Sequence, residues 1–213
     1  MKKKKMKSGG SNKYFLVYKP FNMLCKFTNE NSESQSTKKV LSDLSFNFPI
    51  NVYPLGRLDA DSEGLLILSD DKKLNHLLLN PHFQHSRSYL AQVEGDITDQ
   101  AISKLERGVE IKIDSKIYLT KPCKSQKIDP PSFICQRDPP IRLRKNSPTS
   151  WVSIVLNEGK NRQIRKMLAV VGFPCLRLIR IKIEDLDLFQ MQPGEVKQIE
   201  KNLIYKLLKI NER

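Results

Sequence analysis

The stretch Gly56–Asp71, GRLDADSEGLLILSDD, decides how the chain folds. It opens on a glycine at the exit of an apolar segment, Val52–Leu55, that reads as a strand; glycine there permits a tight or left-handed turn. The run Leu65–Leu68 reads as a short buried strand. Asp70 is placed to cap a helix over Lys72–Leu79, in which Leu74, Leu77 and Leu78 recur at helical spacing and which Pro81 stops. Strand, turn, strand and helix follow within about thirty residues, too closely for a purely helical or purely β reading.

Outward from this stretch the same mixture continues. Tyr14–Tyr18 is apolar, β-branched and aromatic and ends before Pro20, a strand. Asn29–Ser36 is a polar loop, and Lys38–Leu44 reads as a short helix. Tyr89–Glu94 alternates as a strand and ends at Gly95. Thr98 caps a helix with Ile102 and Leu105 inward, closed by Gly108. Short strands are expected around Ile111, Tyr118 and Ile128, then an ordered Pro-rich loop over 129–148 and a strand Trp151–Leu156. A helix Arg162–Val171 buries Ile164, Leu168 and Val171 and stops at Gly172. Leu178–Ile183 alternates apolar and basic residues, a strand with one wet, positive face, and Leu203–Ile210 reads as helical. The fold class is α+β: a mixed, mostly antiparallel sheet flanked by a few helices.

Charge narrows the partner. The 213 residues carry 37 Lys and Arg against 23 Asp and Glu, a formal net charge of +14. Residues 1–11 hold five Lys and no acid, and residues 137–182 hold eleven basic residues against Asp138 and Glu158, so these two segments account for the whole excess. Basic charge concentrated in one tail and one stretch points to a polyanion, with nucleic acid first. No apolar run reaches the roughly 18–20 residues of a membrane helix, and the basic N-terminus lacks the apolar core of a secretory signal. Four scattered cysteines form no CxxC pair, which disfavours a zinc site or disulfide framework and fits a reducing cytoplasm. His76, His82 and His85 fall close together, but Pro81 separates them and no Cys is near. With no phosphate-loop or dinucleotide glycine motif, no cofactor is expected.

Three segments could carry chemistry. In Gly56-Arg57-Leu58-Asp59, Arg57 and Asp59 would share a face in extended backbone, and Asp59 could act as nucleophile, base or ligand; a local turn with a solvated ion pair fits the spacing equally. Lys160, Asn161, Arg162, Gln163, Arg165 and Lys166 place four cations and two amides at a helix start, where the helix dipole disfavours cations. Such a helix can hold phosphates, or be an ordinary basic face; a semi-buried Arg165 would need a carboxylate. Arg87-Ser88-Tyr89 begins a strand, where a tyrosine could stack on a base or simply belong to the core.

In this order, YKPFNMLCKFT (Tyr18–Thr28), GRLDADSEGLLILSDD, SRSYLAQVEG (Ser86–Gly95), EGKNRQIRKM (Glu158–Met167), GFPCLRLIRIKI (Gly172–Ile183) and QPGE (Gln192–Glu195) resemble the RsuA/RluB/RluE family of ribosomal RNA pseudouridine synthases. The resemblance spans nearly the whole chain after residue 13, and PPIRLRKNSPTSW (Pro139–Trp151) resembles the RluE branch. It implies a flexible basic tail (1–12) and a catalytic domain (13–213) of two lobes around a cleft, without the S4 domain many relatives carry. It implies 23S rRNA as partner, free or in a large-subunit assembly intermediate, and a monomer. It also implies site residues: Asp59 as catalytic carboxylate, Tyr89 packing on the target base, Arg165 pairing with Asp59, and Arg57 helping to hold or replace the flipped nucleotide. Arg87, Lys160, Asn161, Arg162, Gln163, Lys166 and Arg180 are the expected RNA contacts. Position 87 is Arg where relatives often have Lys, and 160 and 166 are Lys where Arg is common; charge survives, while the Lys positions lose bidentate phosphate contacts.

Pseudouridylation breaks N1–C1′ of uridine, turns the base and rejoins it through C5, consuming neither redox equivalents nor water. One ionised carboxylate suffices, acting on the base or the sugar. A hydrolytic N-glycosidase would want a second carboxylate, for which Asp61 and Glu63 are nearest, both read as turn or solvent residues. A non-catalytic RNA-binding assembly factor would use the basic stretch equally well, but has no need of Asp59, Tyr89 and Arg165 together.

Overall fold

The computed structural model describes residues 11–28, 38–142, 148–188 and 190–211. Most of the basic tail, the loop 29–36 and residues 143–147 of the Pro-rich segment lie outside the described residues. In chain order the elements are β1 (Tyr14–Lys19), β2 (Tyr53–Pro54), β3 (Glu63–Ser69), α1 (Lys72–Leu79), β4 (Arg87–Glu94), α2 (Asp99–Arg107), β5 (Glu110–Ile113), β6 (Lys116–Leu119), β7 (Lys124–Ile128), β8 (Thr149–Leu156), α3 (Gln163–Val170), β9 (Cys175–Ile183), β10 (Leu186–Asp187), β11 (Val196–Gln198) and α4 (Lys201–Leu207). Among the described residues no helix is long and apolar enough to cross a membrane.

The fold is α+β, as expected. The main sheet runs β11-β1-β3-β9-β4-β8-β7, with β2 on β3 and β10 on β9; β5 and β6 form a separate hairpin. Every pairing in the main sheet is antiparallel except β3 with β9. That parallel contact is two residues long, Glu63 to Ile179 and Gly64 to Arg180, so it joins two antiparallel half-sheets at one point. Gly64 makes the approach possible: its φ is +107°, and a Cβ there would stand 2.2 Å from the Arg180 carbonyl oxygen.

β1 and β3 are buried throughout because both faces are covered. On one face Tyr14, Leu16, Tyr18, Leu65 and Ile67 pack with α1, α4 and, across the junction, Leu90, Trp151 and Ile179. The other face carries two separate apolar clusters. Phe15, Val17, Leu66 and Leu68 meet Met23, Leu41 and Val52 at one end, and Ala91, Val93, Val152, Ile154 and Leu178 meet α2 and α3 at the other. Between these two clusters, at the parallel junction, lie the polar residues of the site described below.

Three local expectations are corrected. Helix α1 is capped by Asp71 rather than Asp70: Asp71 accepts from Leu74 N at 3.0 Å and from the Tyr14 and Tyr205 hydroxyls at 2.7 Å each, while Asp70 takes the Lys13 amide at 2.7 Å. The segment Lys38–Leu44 forms only one 3-10 turn, Leu41–Asp43, closed when the Asp43 carboxylate accepts the Val40 amide at 2.8 Å. Strand β9 does not present the wet basic face expected of Leu178–Ile183, because it is central rather than at an edge: Arg180 is buried, as is Arg177 just before it, while Lys182, 39% exposed beside Asp185, keeps contact with water. Arg177 lies on the sheet face opposite the site, in a buried pair with Glu63 at 2.8 and 2.7 Å, and its Nη1 donates to the Cys135 carbonyl. Glu63 is therefore not the solvent residue its neighbourhood suggests.

Candidate active site

The loop from Gly56 to Ser62 crosses one face of the sheet just before β3. It turns because Ser62 N donates to the Asp59 carbonyl at 3.0 Å, while Gly56, at φ +77°, allows the chain to reverse. Two groups anchor it from below. Cys25 Sγ lies 3.3 Å from both the amide and the carbonyl of Leu58. Lys19, wholly buried at the end of β1, donates its ammonium to the carbonyls of Pro20 (2.9 Å), Met23 (2.8 Å) and Ala60 (3.4 Å). Burial pushes this amine down to about 8, against the nearby Cys25, Glu63, Asp61 and Asp59, which favour its charged form. The sequence signal for Lys19 is a lysine closing an otherwise apolar strand directly before proline.

The loop faces the start of α3. The helix begins at Gln163, one residue later than expected, because Arg162 is the cap residue in left-handed backbone (φ 51°, ψ 34°). This strained conformation turns Arg162 back across the loop. Its guanidinium is bidentate on Asp61 at 3.0 and 2.7 Å, and its Nη1 stands 3.7 Å from Asp59 Oδ2. Arg165 does not pair with Asp59. It donates Nη2 to the Asp61 carbonyl at 2.6 Å and Nη1 to the Cys175 carbonyl at 3.0 Å, with Nε 3.4 Å from the Asp61 carboxylate. The reason is geometric: Arg165 is one helical turn inside α3 and only 12% exposed, so it reaches the buried edge of the loop, whereas Arg162 at the cap reaches its open edge.

Asp61 is thus a structural anion rather than a free turn residue. Partial burial would raise its pKa, but the Arg162 hydrogen bonds and the charges of Arg165 and Arg162 outweigh this and hold it below the usual carboxylate range. Arg162 is correspondingly raised, first by its hydrogen bonds to Asp61. Among the described residues Asp59 is left with one loose ion-pair contact, and its side chain is 40% exposed. The first anion of the loop is available for chemistry while the second is occupied.

The residues before α3 are braced separately. Glu158 accepts from the Tyr118 hydroxyl, from Lys121 N and from the Gln163 side chain, while Gln163 Oε1 accepts from Lys160 N at 3.0 Å. These donors, with the Lys160 charge, hold Glu158 below its ordinary value although burial opposes them. Gln163, expected among the RNA contacts, is buried and spent on this bracing. Lys160 is exposed with Nζ 4.9 Å from the Tyr118 ring centre, Asn161 and Arg57 are exposed, and Lys166 reaches Asn161 at 3.4 Å.

Opposite the loop, β4 and β9 contribute Tyr89, Arg87 and Arg180. Tyr89 sits between Ile154 and Arg180 in the sheet, on one face with both. Arg87 donates to the carbonyls of His85 (3.0 Å) and Leu78 (3.3 Å), and burial holds its pKa below normal. A cavity of about 850 Å³ opens here, lined among others by Asp59, Arg162, Tyr89, Arg87 and Arg180. Its size is that of a small-molecule or nucleotide site. The three histidines do not converge: His85 is buried against Glu184 and His82 is exposed. Among the described residues no group of three or more His, Cys, Asp or Glu could hold a metal ion.

Residues 13–170 match the family model described as RNA pseudouridylate synthase. A ribosomal large subunit pseudouridine synthase E of Vibrio parahaemolyticus is 40% identical over 189 residues, covering 88% of this chain and 74% of that protein. The protein of that name from Xanthomonas axonopodis pv. citri is 39% identical over 178 residues, covering 84% and 89%. A solved pseudouridylate synthase superposes with a TM-score of 0.72 at 23% identity, over 92% of this chain and 74% of that one, a likeness of fold.

Proposed function

The chain belongs to the RNA pseudouridylate synthase family, and on that premise we propose that it isomerises one uridine of 23S rRNA to pseudouridine with Asp59 as the catalytic carboxylate. The observation that carries this reading is the division of labour in the loop: Asp61 is held by two arginines while Asp59, in the same cavity as Tyr89, has among the described residues only a 3.7 Å ion-pair contact. A single available carboxylate suits an isomerisation. A hydrolase would want a second one to activate water, and both neighbours suited to that, Asp61 and Glu63, are engaged in ion pairs.

In this reading the target uridine leaves its stack, at a cost of a few kcal/mol, and its base packs against Tyr89. Asp59 attacks the base or the sugar, the N1–C1′ bond breaks, the base turns within the cavity, C5 joins C1′, and the Asp59 carboxylate is released. The C5 proton leaves and N1 gains one. Arg162 stands nearest Asp59, with Nη1 3.7 Å from its carboxylate. Arg165 acts through the Asp61 segment of the loop and is a positioning residue. Arg57, Lys160 and Asn161 are exposed around the opening and suit phosphate contacts, with the half-buried Lys166 beside Asn161. Relatives bearing the name ribosomal large subunit pseudouridine synthase E support the large-subunit substrate, and the basic tail adds sequence-independent attraction.

The test is tritium release from 23S rRNA carrying 5-tritiated uridine. Asp59→Ala abolishes release while RNA affinity and thermal unfolding stay near those of the native protein. Undiminished release by this variant defeats the assignment.

A further inference from the structure

Arg180 is a buried cation with work left undone. It is 5% exposed, in the centre of the sheet, and lines the cavity beside Tyr89, its cross-strand neighbour. Its Nε donates to the Leu65 carbonyl at 2.8 Å, and its buried Nη2 has no partner among the described residues. A second guanidinium, Arg87, lies two residues from Tyr89 on the same face, and the Arg180 charge opposes its own. Neither is within ion-pair distance of a carboxylate among the described residues. Two like charges sharing a partly desolvated wall, with Glu184 acting on Arg87 only from beyond ion-pair distance, are costly to keep there. An anion entering the cavity removes that cost.

A backbone phosphate is a poor occupant at this depth. The strand must cross the mouth of the cavity, where the exposed Arg57, Lys160 and Asn161 stand, while only the flipped base reaches inward to Tyr89. Uracil is neutral at rest but does not remain so. If Asp59 adds to C6, the C5–C6 π pair moves through C4 onto O4. If N1–C1′ breaks first, its bonding pair leaves with N1 and is shared with O2 and O4. On either route negative charge develops on the ring oxygens. It disappears when the pair closes C5–C1′, displacing N1 from C1′ on the first route or the Asp59 carboxylate on the second; the C5 proton then leaves to water, its pair restores C5–C6 and on the first route expels Asp59 from C6, and N1 takes up a proton.

Building on the synthase reading above, we propose that Arg180, supported by Arg87, is a catalytic residue that donates to a uracil carbonyl oxygen and stabilises the charge developing there. Donors fixed in a water-poor site and aimed at developing charge act on the transition state more than on the bound ground state, and losing one typically slows an enzyme by about 10²–10³-fold. The base-facing role also explains why β9 buries an arginine where its sequence pattern predicts a wet one.

The experiment compares native protein, Arg180→Ala and Arg180→Lys in single-turnover tritium release at saturating RNA, with RNA affinity measured in parallel across salt concentrations. The alanine variant is expected to be slower by about 10²-fold or more with affinity within about threefold, and guanidinium ion in the buffer restores part of its rate, which a purely structural defect would not show. Should alanine prevent folding, Arg180→Lys, which keeps a donor for the Leu65 carbonyl, carries the same comparison with an intermediate rate. A single-turnover rate equal to that of the native protein overturns the inference. So does a defect confined to affinity with a salt slope smaller by about one, the mark of a phosphate contact. Native protein that releases no tritium defeats the synthase reading itself, whereas active native protein with an equally active Arg180→Ala defeats only this step.

Discussion

Lys19→Met tests whether a buried amine holds the catalytic loop. The side chain is wholly buried, and burial sets its pKa at about 8 against an ordinary 10.5. Below pH 8 both folded and unfolded chains bind the proton, and the penalty of burying the charge is fully present. Between 8 and 10.5 the unfolded chain keeps a proton the folded chain has lost, so stability rises with pH. At 1.36 kcal/mol per unit the full rise is about 3 kcal/mol. Methionine fills similar space and does not titrate, but it abandons the carbonyls of Pro20, Met23 and Ala60. Urea unfolding of both proteins from pH 7 to 10 supplies the difference in stability. That difference should shift in favour of the native chain across the upper part of this range, by most of the ~3 kcal/mol. Cys123 and Cys175, pushed up to about 11 by burial, lower stability at alkaline pH, but they do so in both proteins and cancel. A pH-independent difference refutes the buried-amine account. Because the Ala60 carbonyl adjoins Asp59, the same variant should lose roughly 10- to 100-fold in tritium release at neutral pH, the scale of a misplaced reacting group.

Glu63→Ala strands the Arg177 guanidinium in the core and is expected to cost about 3–5 kcal/mol, while the double replacement Glu63→Met with Arg177→Met recovers most of it; urea unfolding distinguishes the two, and an equally damaged double variant refutes the charge argument. Deleting residues 1–11 removes five lysines and should flatten the salt dependence of RNA affinity with little change in single-turnover rate at saturating RNA; a collapse of that rate contradicts a purely electrostatic role.

Much of the local architecture was legible in residue order. The helix capped by Thr98 and closed by Gly108, the strand beginning near Arg87 and the apolar β1 follow from spacing that one element imposes on itself. The misreadings share a cause. Asp70 and Asp71 are equivalent cap candidates in sequence, and only the Tyr14 and Tyr205 hydroxyls, 57 and 134 residues away from Asp71, select between them. Strand β9 looks amphipathic until β3 and β4 close over it.

The same division runs through the site. Sequence by itself determined the α+β class, the concentration of positive charge, and the chemical character of the Asp59, Tyr89 and Arg162–Arg165 segments, because charge, turn chemistry and periodicity are local properties. Only the tertiary structure decided which carboxylate each arginine holds. The left-handed cap of Arg162 and the depth of Arg165 in α3 bind both to Asp61 and leave Asp59 loosely engaged. It also decided that Arg180 lies inside the cavity wall, since its burial depends on a two-residue parallel contact that only Gly64 permits. Partnership and desolvation are set by what long-range packing brings near a side chain, and residue order does not contain them.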